Sequence, residues 1–201
     1  MATKLKIFVS AFMVMIITAS TCRKNCMQVN YSFSIAAKAY PDLDSIYIGD
    51  TIWIDLDEPS TLMDQVSNTM VNFSAAQNLG TAIGFVELLG NSQYRQAAND
   101  FTINLKSGIM SGSTNPNLFK EFLFKESNNR YLFRLGIIPN KQGVYRITLS
   151  DAADVYRKND PCSKAFFRIN FKETSQHMYF NEWNFGIVVP LPNNVYCFKV
   201  K

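Results

Sequence analysis

Residues 119–149, FKEFLFKESNNRYLFRLGIIPNKQGVYRITL, decide the fold class. Two apolar runs, Phe119 to Lys125 and Tyr131 to Ile137, flank Glu126-Ser127-Asn128-Asn129-Arg130. Asparagine tolerates the left-handed backbone that a hairpin tip requires, so the stretch predicts two antiparallel strands joined by a turn. In the second run Tyr131, Phe133, Leu135 and Ile137 share a face, with Leu132 and Arg134 opposite. After Gly143, the residues Tyr145, Ile147 and Leu149 alternate with Arg146 and Thr148. A period of two sends alternate side chains to opposite faces, which is the pattern of a half-buried strand.

The same period runs outward in both directions. Upstream, Tyr31, Phe33 and Ile35 alternate with Ser32 and Ser34. Ile52, Ile54 and Leu56 then line one face, with Trp53 and Asp55 on the other, until Glu58-Pro59-Ser60 breaks the pattern. Downstream, Phe167, Ile169 and Phe171 alternate with Arg168 and Asn170, and Gly186 to Val189 and Asn194 to Val200 read as closing strands. Helix signals are short: Ser92 to Asn99 predicts about two turns with Ser92 as N-cap, and Asp151 to Tyr156 one more. Many short strands between turn clusters, with sixteen phenylalanines and nine tyrosines to fill an interior, predict an all-β chain. The architecture expected is an antiparallel β-sandwich, immunoglobulin-like or related, with one or two short helices.

The first 21 residues read as an export signal. Lys4 and Lys6 precede an uncharged run from Ile7 to Ala19, and Ala19-Ser20-Thr21-Cys22 follows. A helix of about 13 residues covers only about 20 Å of a hydrocarbon layer roughly 30 Å thick, so it suits a cleaved leader better than a permanent span. The expected organisation is residues 1–21 as leader, 22–29 as a polar tether and 30–201 as one sandwich domain. Ordinary signal cleavage would fall after Ser20 or Thr21.

Four cysteines fit an oxidising compartment: Cys22, Cys26, Cys162 and Cys197. The expected pair is Cys162 with Cys197, closing a loop of about 35 residues worth roughly 3–4 kcal/mol. No C-x-x-C pair is present and the single histidine has no cysteine near it in sequence, so no metal site is expected.

Loss of residues 1–21 removes two of the 20 basic side chains and none of the 16 acidic ones, leaving a net charge of +2. That is too mild to steer nucleic acid, and no nucleic-acid partner is expected. The charge is uneven. Residues 39–94 carry eight acids and no Lys or Arg, whereas residues 95–201 carry fifteen bases against eight acids. Acidic early strands beside basic late strands account for this through cross-strand pairs.

Catalytic signatures do not assemble in the sequence. His177 has neither a G-x-S-x-G elbow nor an H-E-x-x-H partner, and the acids of Asp42-Leu43-Asp44 and Asp55-Leu56-Asp57-Glu58 lack calcium-loop spacing. The chain therefore reads as non-catalytic and without a cofactor, the alternative being a secreted or periplasmic hydrolase with an acidic site. One cluster reads as a binding surface: Tyr179, Phe180, Trp183 and Phe185, interrupted by Asn181, Glu182 and Asn184. Such rings stack on sugars or on partner proteins, or else fill the edge of the sandwich.

Two resemblances sharpen this reading. Ile17-Thr18-Ala19-Ser20-Thr21-Cys22 resembles the lipobox of bacterial lipoproteins, with Thr21 and Ala19 standing where that motif prefers a smaller residue and leucine. The resemblance implies acylation of Cys22 and a membrane partner through that lipid. The body is similar to a group of Bacteroidota envelope lipoproteins over Ile46 to Trp53, Phe73 to Phe85, Gly136 to Pro139 and Asn159 to Cys162. That likeness carries over no activity and no catalytic residue; the aromatic cluster and the fold class are what suggest a binding or structural component, with an envelope protein or glycan as ligand. Arg23-Lys24-Asn25, in place of an acidic export signal, implies a periplasm-facing position at the outer membrane, secretion being the alternative.

Overall fold

A computed structural model describes residues 29–186 and 193–201. The leader, Cys22 and the tether up to Gln28 lie outside the described residues, and Val29 opens the first strand.

The chain folds into two facing sheets, with strands numbered in chain order. One sheet runs β12 (Lys125–Ser127), β13 (Arg130–Pro139), β3 (Ile52–Pro59), β1 (Val29–Tyr40), β16 (Asp160–Phe171), β15 (Ala152–Arg157), β6 (Ala76–Gln77). β9 (Phe101–Ser107) also pairs with β13. The second sheet runs β10 (Ile109–Ser111), β11 (Phe119–Leu123), β7 (Gly80–Gly90), β14 (Gly143–Leu149), β17 (Val195–Val200), β2 (Ser45–Ile46), with β8 (Gln93–Gln96) pairing β7. A hairpin of β4 (Thr61–Met63) and β5 (Met70–Asn72) closes one side. The chain is the all-β sandwich expected, antiparallel except where β1 runs parallel to β16 and β17 to β2.

The alternation read from sequence is the alternation that packs. Phe33 and Ile35 of β1, Ile52, Ile54 and Leu56 of β3, and Tyr131 to Ile137 at every second position of β13 are buried. They face Ile83 and Phe85 of β7, Tyr145 and Ile147 of β14, and Tyr196 and Phe198 of β17. Phe33, Phe73 and Phe167 form a ring cluster with centroids 5.1–5.7 Å apart, and the Tyr131 hydroxyl donates to the Phe73 carbonyl beside it. Each buried ring adds roughly 1.5–3 kcal/mol over leaving it in water. Acidic β3 lies against basic β13 as the charge pattern suggested: Arg134 stands opposite Asp55, and Arg130 pairs with Asp57.

Several expectations are corrected. The turn at Asn128-Asn129 forms with φ of 51° and 56°, but it joins β13 to the short β12. β11 belongs to the second sheet, because Phe124 hands the chain across and docks its N–H on the Leu79 carbonyl. Where residues 92–99 predicted two helical turns, β8 extends β7 and only a 3₁₀ turn at Ala98–Asp100 remains. Residues 151–156 form strand β15 rather than a turn of helix, since pairing with β16 satisfies their backbone. Gly186 caps a helix instead of opening a strand, and residues 187–189 lie outside the described residues.

The Cys162–Cys197 bridge does not form. Cys197 is a free, fully buried thiol on β17, and Cys162 is disulfide-bonded elsewhere. Register explains it: Tyr196 and Phe198 point inward, so Cys197 points away from the other sheet, where Cys162 resides. Sheets stack about 10 Å apart, beyond the roughly 7 Å Cα separation that a disulfide tolerates.

Candidate functional site

The four rings singled out in the sequence all fall on one short helix, α1 (Tyr179–Phe185), which covers the outer face of the second sheet. Tyr, Phe, Asn and Trp are mediocre helix formers, and no side chain caps the N-terminus. What ends the helix is Gly186, left-handed at φ 68°, whose N–H closes on the Glu182 carbonyl at 2.7 Å.

α1 is inverted relative to an ordinary amphipathic helix. Asn181 and Asn184 are its buried residues, while Tyr179 and Trp183 are 47% and 56% exposed, four residues apart and so on one face. Phe180 and Phe185 are half-buried. The asparagines have work to do underneath. Asn184 Oδ1 accepts from the Gly90 N–H at 2.6 Å and its carbonyl from the Ser92 N–H at 2.6 Å, pinning the helix to the β7–β8 turn. Asn181 Oδ1 accepts from Arg146 of β14 at 3.2 Å, and the Arg146 guanidinium lies 5.8 Å from the Phe185 ring centre. Arg146 stands opposite Cys197, whose thiol burial pushes up to about 12 against the pull of that cation.

The exposed rings are held rather than loose. The Tyr179 hydroxyl donates to Asp44 Oδ2 at 2.6 Å, and its ring lies 4.5 Å from that of Phe180 and 6.2 Å from His177. That hydrogen bond, with Ser45 assisting, holds the Asp44 carboxyl below its ordinary range, whereas burial and the same bond push Tyr179 up to about 12. Trp183 lies against the turn at Gly90, so that a Cβ placed there would meet the indole at 3.4 Å. Leu43, next in sequence to Asp44, and Leu89, next in sequence to Gly90, are 51% and 48% exposed. His177 Nε2 lies 3.3 Å from Asp42 Oδ1 but outside hydrogen-bond geometry, while the other Asp42 oxygen accepts from the Ser175 N–H at 2.7 Å.

Strand direction places this patch in the molecule. β1 starts at Val29, opposite Ser163, and runs parallel to β16 until Ala37 meets Phe171. From there Lys172 donates to Ala37, Ala39 to Thr174, Ser175 to Asp42 and Tyr179 to Asp44. α1 therefore begins beside the C-terminal end of β1. Twelve residues at about 3.3 Å each separate that end from Val29, some 40 Å along the strand. The chain enters at one pole and the rings stand at the other.

The acids of residues 55–58 line a cavity of about 440 Å³ on the outer face of the first sheet, together with Lys38, Tyr40, Lys172 and Glu173. Most are already engaged: Glu173 with Lys38, Asp57 with Arg130, and Glu58 Oε1 with the Ala36 N–H at 3.1 Å. Asp42 and Asp44 are not in its lining and bond instead to Ser175 and Tyr179, so the two acidic stretches do not share one site.

No protein-family model matches the chain, and none of the curated proteins matches it. Among solved structures it is similar to the human F-spondin reeler domain: 8% identity and TM-score 0.40 over 89% of this chain and 96% of that one. A second crystal structure of that domain gives 9% identity and TM-score 0.37 over 86% and 96%.

The ring cluster was visible in sequence; its orientation was not. The residues missed were Asn181, Asn184 and Arg146, which turn the helix over. The i, i+3 spacing of the two asparagines ahead of Gly186 was the available signal.

Proposed function

We propose that this chain is a non-catalytic protein-docking module of a cell envelope, tethered by acylated Cys22 and presenting Tyr179 and Trp183 to a partner protein. The observation carrying this reading is the opposition of poles: the chain enters at Val29, and the rigid rings stand at the far end of β1. An anchor at one end directs the other away from the membrane. Exposed Trp and Tyr over a fixed polar base are the composition of an interface centre, where a few aromatic residues carry most of the energy.

Cysteine count leaves room for the anchor. Cys162 is disulfide-bonded and Cys197 is free. Acylation of Cys22 then requires Cys26 as the remaining partner for Cys162. One acyl chain anchors marginally, so two or more are needed for stable attachment. Intact-mass and peptide mapping of the membrane-extracted protein should give a lipid-modified Cys22 and a Cys26–Cys162 peptide. A Cys22–Cys162 peptide removes the anchor from the account.

Docking itself is tested with a photo-crosslinking residue at position 183 in the full chain within intact envelopes. One discrete adduct is expected, absent when the probe stands at exposed Asp154 and lost when Tyr179→Ala is added. No adduct at 183, or the same adducts at both positions, overturns the reading.

A further inference from the structure

A second cavity, of about 450 Å³, opens on the outer face of the first sheet towards the Val29 end. Its size falls in the range of small-molecule sites, roughly 300–1,000 Å³. The floor is low because β1 sends only Ser32 and Ser34 outward here, while Arg168 of β16 rises opposite Ser34 and Asn170 opposite Ala36. Gln65 and Asn193 close the two sides. Gln65 is fixed by its backbone N–H on the Ser32 carbonyl at 2.7 Å, and Asn193 by its carbonyl on the Phe171 N–H at 2.6 Å.

The lining has an unusual chemistry for this surface. Among the described residues it contains no carboxylate and no lysine, and Arg168 is the only charge among them. Among the described residues Arg168 makes no ion pair, and the side chains of Gln65, Arg168 and Asn193 make no hydrogen bond. Asn170 Nδ2 approaches Ser34 Oγ at 3.3 Å and retains its carbonyl oxygen. The nearby Asp64 carboxylate is turned away and saturated, accepting from the main chains of Ser32, Val66 and Ser67 and from the Ser67 hydroxyl.

We infer that this cavity binds an acidic sugar, a pyranose bearing a carboxylate such as a uronic acid, through Arg168 and the amide and hydroxyl groups around it. The guanidinium offers a two-pronged fit to a carboxylate. Three amides and two serine hydroxyls each combine donor and acceptor, as sugar hydroxyls do. Inorganic phosphate, which has fewer hydroxyl donors than a sugar, would leave most of the amide carbonyls unmatched. This site is separate from the aromatic pole and stands or falls apart from it.

The test is calorimetric or NMR titration of the purified full chain with digalacturonate, with a neutral disaccharide of the same size and with inorganic phosphate. Digalacturonate is expected to bind at least tenfold tighter than the neutral sugar, with phosphate failing to displace it at equal concentration. Arg168→Gln should abolish that preference, while Arg134→Gln, elsewhere on the same face, should leave it intact. Ser34→Trp, which fills the floor, should remove binding of both sugars, with thermal unfolding confirming that each variant is folded. Equal affinity for acidic and neutral sugars, displacement by phosphate, unchanged binding in Arg168→Gln, or no binding of digalacturonate at millimolar concentration each overturns the inference.

Discussion

The sandwich interior and helix α1 use the same aromatic residues in opposite ways. Between the sheets, Phe33, Phe73 and Phe167 are fully buried and the polar residues of the same strands face out. On α1 the polar Asn181 and Asn184 face in, and Tyr179 and Trp183 face out. Exposing two large rings while burying two amides sacrifices apolar burial and requires the amides to be hydrogen-bonded. The interior needs no function to explain its rings; α1 does.

The largest effect that sharpens this contrast is Phe167→Ala. It should cost about 3–5 kcal/mol in urea denaturation, the range for truncating a buried ring, whereas Trp183→Ala should stay within about 0.5 kcal/mol as a surface change. Similar losses from both would mean that Trp183 is a packing residue. Next in size is Asn184→Leu, expected to destabilise by about 1–3 kcal/mol because the Gly90 N–H is left buried without its acceptor. A stabilised variant would show the helix to be an ordinary amphipathic one with its polar face misplaced.

A smaller effect concerns Tyr179. Its folded pKa lies near 12 against an ordinary 10.0, so its contribution is complete below pH 10 and is lost as pH rises towards 12. Asp44→Asn should lower that value, read by absorbance titration of phenolate with Tyr179→Phe as the reference. Identical titrations with and without the Asp44 carboxylate would mean that the Tyr179–Asp44 bond is not made in solution. The smallest effect is at Cys197, where a thiol pushed up to about 12 should resist alkylation at pH 8 until the chain unfolds. Rapid labelling of the native protein would mean that α1 does not cover β17.

How much of this was legible in sequence follows from what each signal encodes. The period of two named the inward residues of β1, β3, β13, β14 and β16, because strand geometry alone fixes which side chain faces which way. Partner choice is not local. Nothing in Phe119 to Lys125 announces that the chain changes sheets at Phe124, or that Ala152–Arg157 finds an edge on β16. The Cys162–Cys197 expectation failed for the same reason: sequence gives loop length, but only register shows Cys197 facing away from the other sheet. The aromatic cluster was found as a cluster, yet its outward turn depends on Arg146 and Gly90, distant in the chain. The cavity around Arg168 was likewise invisible, since its lining comes from four separated segments.

Indole accessibility probes the inverted helix most directly. The chain has two tryptophans, Trp53 and Trp183, so Trp53→Phe leaves position 183 as the sole emitter. The account predicts emission and acrylamide quenching close to those of free indole in water, with native far-ultraviolet circular dichroism retained. A blue-shifted, poorly quenched signal from the folded variant would place Trp183 inside and contradict it.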